Sequence, residues 1–194
     1  MFRSIAIMAA CAAVSVAMPA AAATYVGSGA AIPDNSFTLS TITISDVFEI
    51  ADLNVRIDNL AHNFAGDVQF TLTNGAISVL LFKNHGHNNY LRGALTFDDE
   101  AAQSITGYAQ NQAATYRPFA ALSAFDGLGA AGIWTLKAAD TSGGISGSYG
   151  GWALEFTEKP TGAAVPEPAT WAMMIMGFGA AGSLLRRRRA VAFA

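Results

Sequence analysis

Between Thr24 and Pro160 apolar and polar residues alternate with a period of two, and no long window repeats at the helical period. Leu53, Val55 and Ile57 alternate with Asn54 and Arg56. Val68, Phe70 and Leu72 alternate with Gln69, Thr71 and Thr73, and Trp152, Leu154 and Phe156 with Ala153 and Glu155. Successive side chains of a strand point to opposite faces, so each run predicts a strand with one buried face. Residues 38–44, 76–82 and 132–139, rich in Thr, Ile, Val, Leu and Trp, predict further strands. Asn74-Gly75 separates two of these runs and favours the positive φ angles of a type I′ turn, so residues 68–82 are expected to form a hairpin. The economical solution is an all-β sandwich, with residues 98–132 as a long loop-rich connection.

The chain of 194 residues is 52% hydrophobic and 13% charged, values that suggest a membrane protein until the residues are located. The apolar excess sits at the two ends, in residues 4–23 and 171–185. Residues 1–23 read as a signal peptide: Arg3 supplies the positive start, an apolar run follows, and Ala21 and Ala23 occupy the small positions of an A-x-A cleavage site, with the cut after Ala23. Cys11 lies in that leader, so the exported chain is expected to carry no disulfide and no thiolate metal site. Residues 24–160 form one domain, in which six Lys and Arg stand against thirteen Asp and Glu, a formal charge of −7. Such a domain repels phosphate backbones, which argues against nucleic-acid binding.

Residues 161–170 form a linker with a Pro-Glu-Pro motif, residues 171–185 an apolar helix, and residues 186–194 a basic tail. Prolines stop any preceding structure, and the apolar run of about 15 residues is shorter than the roughly 20 needed to cross a bilayer comfortably. Thinning of the bilayer and snorkelling of Arg186, Arg187, Arg188 and Arg189 could shorten the gap. The arginines are expected to stay in the cytoplasm, with everything before Pro166 outside it.

The order of Val165, Pro166, Glu167 and Pro168, an uncharged helix and four arginines resembles a PEP-CTERM sorting signal, the tail handled by exosortases in Gram-negative bacteria. The resemblance implies an exosortase-type processing partner. It also implies anchoring in the inner membrane, then delivery to the cell surface or extracellular matrix after processing near the Pro-Glu-Pro motif.

The middle of the chain carries a second resemblance. Ile32-Pro33-Asp34-Asn35, Ile50-Ala51-Asp52-Leu53-Asn54-Val55, His62-Asn63-Phe64-Ala65-Gly66-Asp67, Phe97-Asp98-Asp99-Glu100-Ala101 and Tyr116-Arg117-Pro118 occur in that order. Leu122-Ser123-Ala124-Phe125-Asp126-Gly127, Gly132-Ile133-Trp134-Thr135-Leu136 and Gly151-Trp152-Ala153-Leu154-Glu155-Phe156 follow. The series resembles the P domain, or P/Homo B, that follows the subtilisin-like catalytic domain of kexin- and furin-type proprotein convertases. It implies a jelly-roll-type antiparallel β-sandwich with Trp134 and Trp152 in the core. The catalytic residues of that family lie in the protease domain, so none carries over.

The candidate chemistry is sparse. His85-Gly86-His87 and Asp140-Thr141-Ser142-Gly143 superficially resemble subtilase motifs, but no Gly-x-Ser-x-Gly elbow accompanies them, and the polar stretch 83–89 reads as a loop. His85 and His87 lack further ligands at zinc spacing. His62 reads as a structural hydrogen-bonding residue at a strand end. Asp34, Asp58, Asp67, Asp98, Asp99, Glu100 and Asp140 could offer oxygen ligands to calcium, the single cofactor considered, yet no EF-hand or nonapeptide spacing is present. Tyr116, Phe119 and Phe125 are expected to plug an end of the sandwich rather than form a binding shelf. The expectation is a non-enzymatic, surface-sorted binding or structural module with an unidentified envelope or matrix ligand. The alternative is an accessory to a subtilisin-like protease acting in trans.

Overall fold

The computed structural model describes residues 20–86, 88–108, 114–160 and 168–191, in two units. Residues 20–160 form the first. Its strands are β1 (Ala22–Ile32), β2 (Phe37–Ile44), β3 (Ile50–His62), β4 (Val68–Asn74), β5 (Ile77–Lys83), β6 (Leu91–Phe97), β7 (Ala114–Tyr116), β8 (Gly132–Asp140) and β9 (Gly147–Glu158). One sheet has the order β1-β9-β3-β6-β7, the other β2-β8-β4-β5. Every pairing is antiparallel except β6 with β7, which run parallel from Leu95 opposite Ala114 to Phe97 opposite Tyr116. The fold is thus an all-β sandwich, with one parallel edge pair.

The alternating residues face inward as their period requires. Leu53, Val55, Ile57, Phe70, Leu72, Trp152, Leu154 and Phe156 are all buried. Trp134 and Trp152 are 0% exposed, and each indole N–H has an acceptor: Ala130 O at 2.8 Å and Ser40 Oγ at 2.9 Å. Phe156 stands edge-on to Trp134 at 5.4 Å, Phe48 at 5.5 Å and Tyr25 at 5.9 Å, joining the two sheets. Burial of each such ring stabilises the fold by about 2–3 kcal/mol.

Three strands lie outside the runs expected to be extended. β1 reads AATYVGSGAAI, poor in β-formers, and is held by its ten-residue register with β9. β6 and the short β7 complete the same sheet. The hairpin of β4 and β5 forms as expected, but Asn74 pairs with Ile77, so the two turn residues are Gly75 and Ala76. Gly75 has φ 58° and Ala76 does not join the residues of positive φ, which is the pattern of a II′ turn rather than I′. A residue with a Cβ resists the second positive φ that I′ would demand of it.

The connection between β6 and β8 is ordered by its own polar side chains. Asp99 accepts the N–H groups of Leu122 at 3.0 Å and Ser123 at 2.8 Å, starting the short 3-10 helix Leu122–Phe125. Arg117 donates to Ala101 O and Ala102 O. Tyr116 and Phe125 plug the core, whereas Phe119 stays 45% exposed.

The proposed cleavage after Ala23 falls inside β1: Ala22 and Ala23 pair with Thr157 and Phe156, and Glu158 N–H donates to Ala21 O at 2.8 Å. Residues 1–19, which hold Cys11 and the rest of the expected signal peptide, lie outside the described residues.

In the second unit, α1 (Pro168–Val191) begins earlier and ends later than the expected 171–185, continuing through Arg186 to Arg189. Pro168 suits the first turn, where its missing N–H is not needed, and arginine is a good helix former. Trp171, Met173, Ile175, Met176 and Phe178 are each more than half exposed, so the helix presents apolar side chains all round this stretch. Among the described residues no helix is long and apolar enough to cross a membrane. The arginines occupy the length that a full span would need. Val165, Pro166 and Glu167 lie outside the described residues, as do residues 192–194.

Candidate functional site

One pole of the sandwich gathers the β1–β2, β3–β4, β5–β6 and β8–β9 connections. Its centre is His62 at the end of β3, whose side chain is 0% exposed. The ring Nδ1 accepts the Phe64 N–H at 3.2 Å, so the proton sits on Nε2, which donates to Asp140 Oδ2 at 2.9 Å. Asp140 Oδ1 accepts the Ser142 N–H at 2.9 Å. His62 is thus the structural hydrogen-bonding residue that its sequence block suggests, while Asp140 is committed to His62 and not to His85. Asp34 accepts the Gly144 N–H at 2.7 Å, tying the β8–β9 turn to the β1–β2 corner. Burial, then Asp140, pushes the Asp67 carboxyl above its ordinary value, partly opposed by His62.

Beside this frame the β5–β6 loop makes an open cleft of about 890 Å³, lined by Asn84, His85, Gly86, Asn88, Asn89, Thr106 and Tyr108. Asn84 adopts φ 45°, and its amide donates to Gly66 O at 2.6 Å and Thr141 Oγ1 at 2.8 Å. This anchors the loop to the His62 frame. His85 Nδ1 donates to Lys83 O at 2.7 Å, and Phe119 stands edge-on to the ring at 5.4 Å. Tyr108 donates to Tyr90 O at 2.7 Å and packs edge-on against Phe82. The described lining carries no carboxylate, lysine or arginine. Its described polar groups are neutral amides, a hydroxyl and an imidazole.

Sequence reasoning did not reach this cleft. Its one signal was the density of Asn and His in residues 84–89, which also describes an ordinary loop. His87 falls outside the described residues. Among the described residues no three His, Cys, Asp or Glu side chains come together as a metal site requires. Of the candidate calcium ligands, Asp34, Asp140 and Asp99 serve backbone N–H groups, and Asp98 accepts the Glu100 N–H at 2.7 Å.

Residues 164–189 match the PEP-CTERM protein-sorting motif, which marks exported, surface-sorted proteins and implies an exosortase-type processing enzyme. No curated protein matches the chain. Among solved structures, a chain from the complex of an Aeromonas sobria serine protease with the chaperone ORF2 is similar, with 18% identity over 74% of this chain and 28% of that one and a TM-score of 0.46. The serine protease of Aeromonas sobria alone matches with 18% identity over 72% of this chain and 27% of that one, at a TM-score of 0.44. The chain therefore spans little more than a quarter of these structures.

Proposed function

We propose that this protein is an exported, non-catalytic β-sandwich that acts as a binding module of the cell envelope or extracellular matrix, using the uncharged cleft at residues 84–108. The observation that carries the reading is the sorting motif at residues 164–189, placed directly after a self-contained sandwich that ends at Pro160. β9 starts beside His62 and ends at the opposite pole of the sandwich, at Glu158.

Intact mass and fractionation of the protein from its native host test this. An extracellular species ending near Pro166 supports sorting and release, and a full-length species in the inner membrane supports a tethered ectodomain. A cytoplasmic protein that retains residues 1–19 overturns the proposal.

A second reading is an accessory to a subtilisin-like protease, supported by the ordered blocks from Ile32 to Phe156 that resemble P-type domains. Recovery of such a protease with the tagged chain from envelope extracts favours it, and recovery of none counts against it.

A further inference from the structure

The four-stranded sheet covers one of its two edges and leaves the other open. At β5 the connection after β7 supplies the cover: Phe119 N–H donates to Leu81 O at 3.0 Å and Ala120 N–H to Leu80 O at 2.8 Å. At β2 the register decides which backbone groups are spent. Asp140 N–H donates to Ser36 O at 2.8 Å, in line with the pairing that sets Phe37 opposite Ala139. The even-numbered residues of β2 therefore turn their N–H and C=O toward β8, while Phe37, Leu39, Thr41 and Thr43 turn theirs to the open edge. Among the described residues, no hydrogen bond is made to the backbone of these four on that edge.

Edges that stay single carry a proline, a bulge or a charge that repels a second strand. β2 reads FTLSTITI, without charge or proline, and its register with β8 runs unbroken from Phe37 to Ile44. Its outward side chains Phe37 and Leu39 are 52% and 58% exposed, and Ile133, opposite Thr43 on β8, is 60% exposed. The neighbouring edge strand β1 is poor in β-formers, and its Ser28 O already accepts the Ser40 hydroxyl at 2.8 Å. The strands of the four-stranded sheet hold one acidic residue, Asp140, and that one is buried against His62, although residues 24–160 carry a formal charge of −7. A second copy of so acidic a domain meets least repulsion on this sheet.

We infer that two copies of this chain pair antiparallel through β2 about a two-fold axis, joining their four-stranded sheets into one continuous sheet. An antiparallel edge is its own complement under a two-fold, so the same four residues serve both sides. The register that uses all four sets Phe37 opposite Thr43 of the second copy and Leu39 opposite Thr41, and the open N–H groups of each copy meet C=O groups of the other. It also lays the Phe37 ring beside Thr43 of the second copy and one strand from that copy's Ile133, which covers the apolar side chains that a single domain exposes. The Lys137 ammonium, 4.5 Å from the centre of the Phe37 ring, stays roughly 15 Å from its counterpart, three strand spacings away. That exceeds the screening length of about 8 Å at physiological ionic strength. The pairing depends neither on export nor on the cleft.

The test is sedimentation velocity of the full chain in detergent over a concentration series, joined to cross-linking that reads the register. The wild type is expected to show a reversible monomer–dimer equilibrium. Thr41→Pro removes an N–H that faces the open edge and none that bonds β8, so the circular dichroism spectrum is expected to be kept while the dimer dissociation constant rises at least about tenfold. Leu39→Lys leaves the backbone intact and brings two ammonium groups close across the axis, with the same expected effect. Thr24→Pro, at an open position of β1, is expected to dimerise as the wild type does. Register separates this pairing from association through the apolar helix. In chains that carry Cys11→Ser, a mixture of Leu39→Cys and Thr41→Cys is expected to form disulfide-linked dimers faster than either variant alone. A monomer at every concentration, a dimer unchanged by both Thr41→Pro and Leu39→Lys, a dimer lost with Thr24→Pro instead, or cross-linking no faster in the mixture overturns the inference.

Discussion

His62 Nε2 donates to Asp140 Oδ2 at 2.9 Å with both side chains fully enclosed, joining the end of β3 to the end of β8 across 78 residues. Asp140 lies opposite Val68 at the start of β4, so the pair fixes the pole on which the cleft loop is hung. Asp140→Ala leaves the buried Nε2–H without its acceptor and frees the Ser142 N–H as well. The expected cost is about 3 kcal/mol, a fall of roughly 10 °C in Tm for a domain of this size. Thermal unfolding followed by circular dichroism checks it. A Tm within about 2 °C of the wild type would show that the pair does not carry the pole.

Gly27 is fixed by a ring. A Cβ built there falls 2.2 Å from Trp152 Nε1, and the two residues are direct cross-strand partners. Gly27→Ala must push the indole aside and break its bond to Ser40 Oγ. The expected loss is about 2–3 kcal/mol, with a red shift in tryptophan emission as Trp152 becomes wetter. Gly143→Ala, with nothing within 4 Å of the new Cβ, serves as the neutral comparison.

Five carboxyls, those of Asp52, Asp98, Asp99, Glu100 and Asp126, lie near one another where β3 begins and β6 ends. Burial raises Asp52, with Asp98 and Asp99 adding to it against a lowering Leu53 N–H, and burial with Asp52 and Asp99 raises Asp126. Glu100 is raised first by its hydrogen bond with Asp98, then by burial and Asp52. A carboxyl whose folded pKa exceeds its unfolded value contributes stability at low pH, and that contribution is lost as pH rises through the folded value. At neutral pH these groups are therefore ionised at a cost to the fold. Asp52→Asn is expected to raise Tm at pH 7, and the advantage should shrink as the pH falls to about 4, near the ordinary carboxylate value. An advantage that is constant or grows on acidification would contradict the assignment.

The arginine cluster gives a prediction for the tail. Replacement of Arg186 to Arg189 by Gln removes the charge that the expected orientation of the tail relies on to keep this end in the cytoplasm. Processed, surface-exposed protein is expected to drop several-fold, with precursor accumulating, as read by intact mass and protease accessibility in whole cells. Unchanged processing would mean that the apolar stretch and Pro-Glu-Pro motif suffice.

The all-β class, six of the nine strands among the described residues and the sorting motif were legible in the residues. Alternation such as Val68 to Thr73 reports burial directly, and Pro166 to Arg189 differ from their surroundings in composition. β1 was not legible, because Gly27 and Gly29 suit the strand only through what β9 places over them: the Trp152 indole and the Tyr149 carbonyl. The turn shifted by one residue because register, and not the Asn-Gly dipeptide, chose its central pair. The cleft escaped notice because Asn84 is aimed by contacts to Gly66 and Thr141, the second of them 57 residues away.

The sequence by itself determined which face of each strand is apolar and that the ends of the chain are specialised, since periodicity and composition are local properties. Only the tertiary structure decided that His62 meets Asp140, that loops from four connections share one pole, and that Phe37, Leu39, Thr41 and Thr43 hold the open edge of β2. Those are matters of register between distant strands, and register depends on the whole set of pairings and on the core that closes over them.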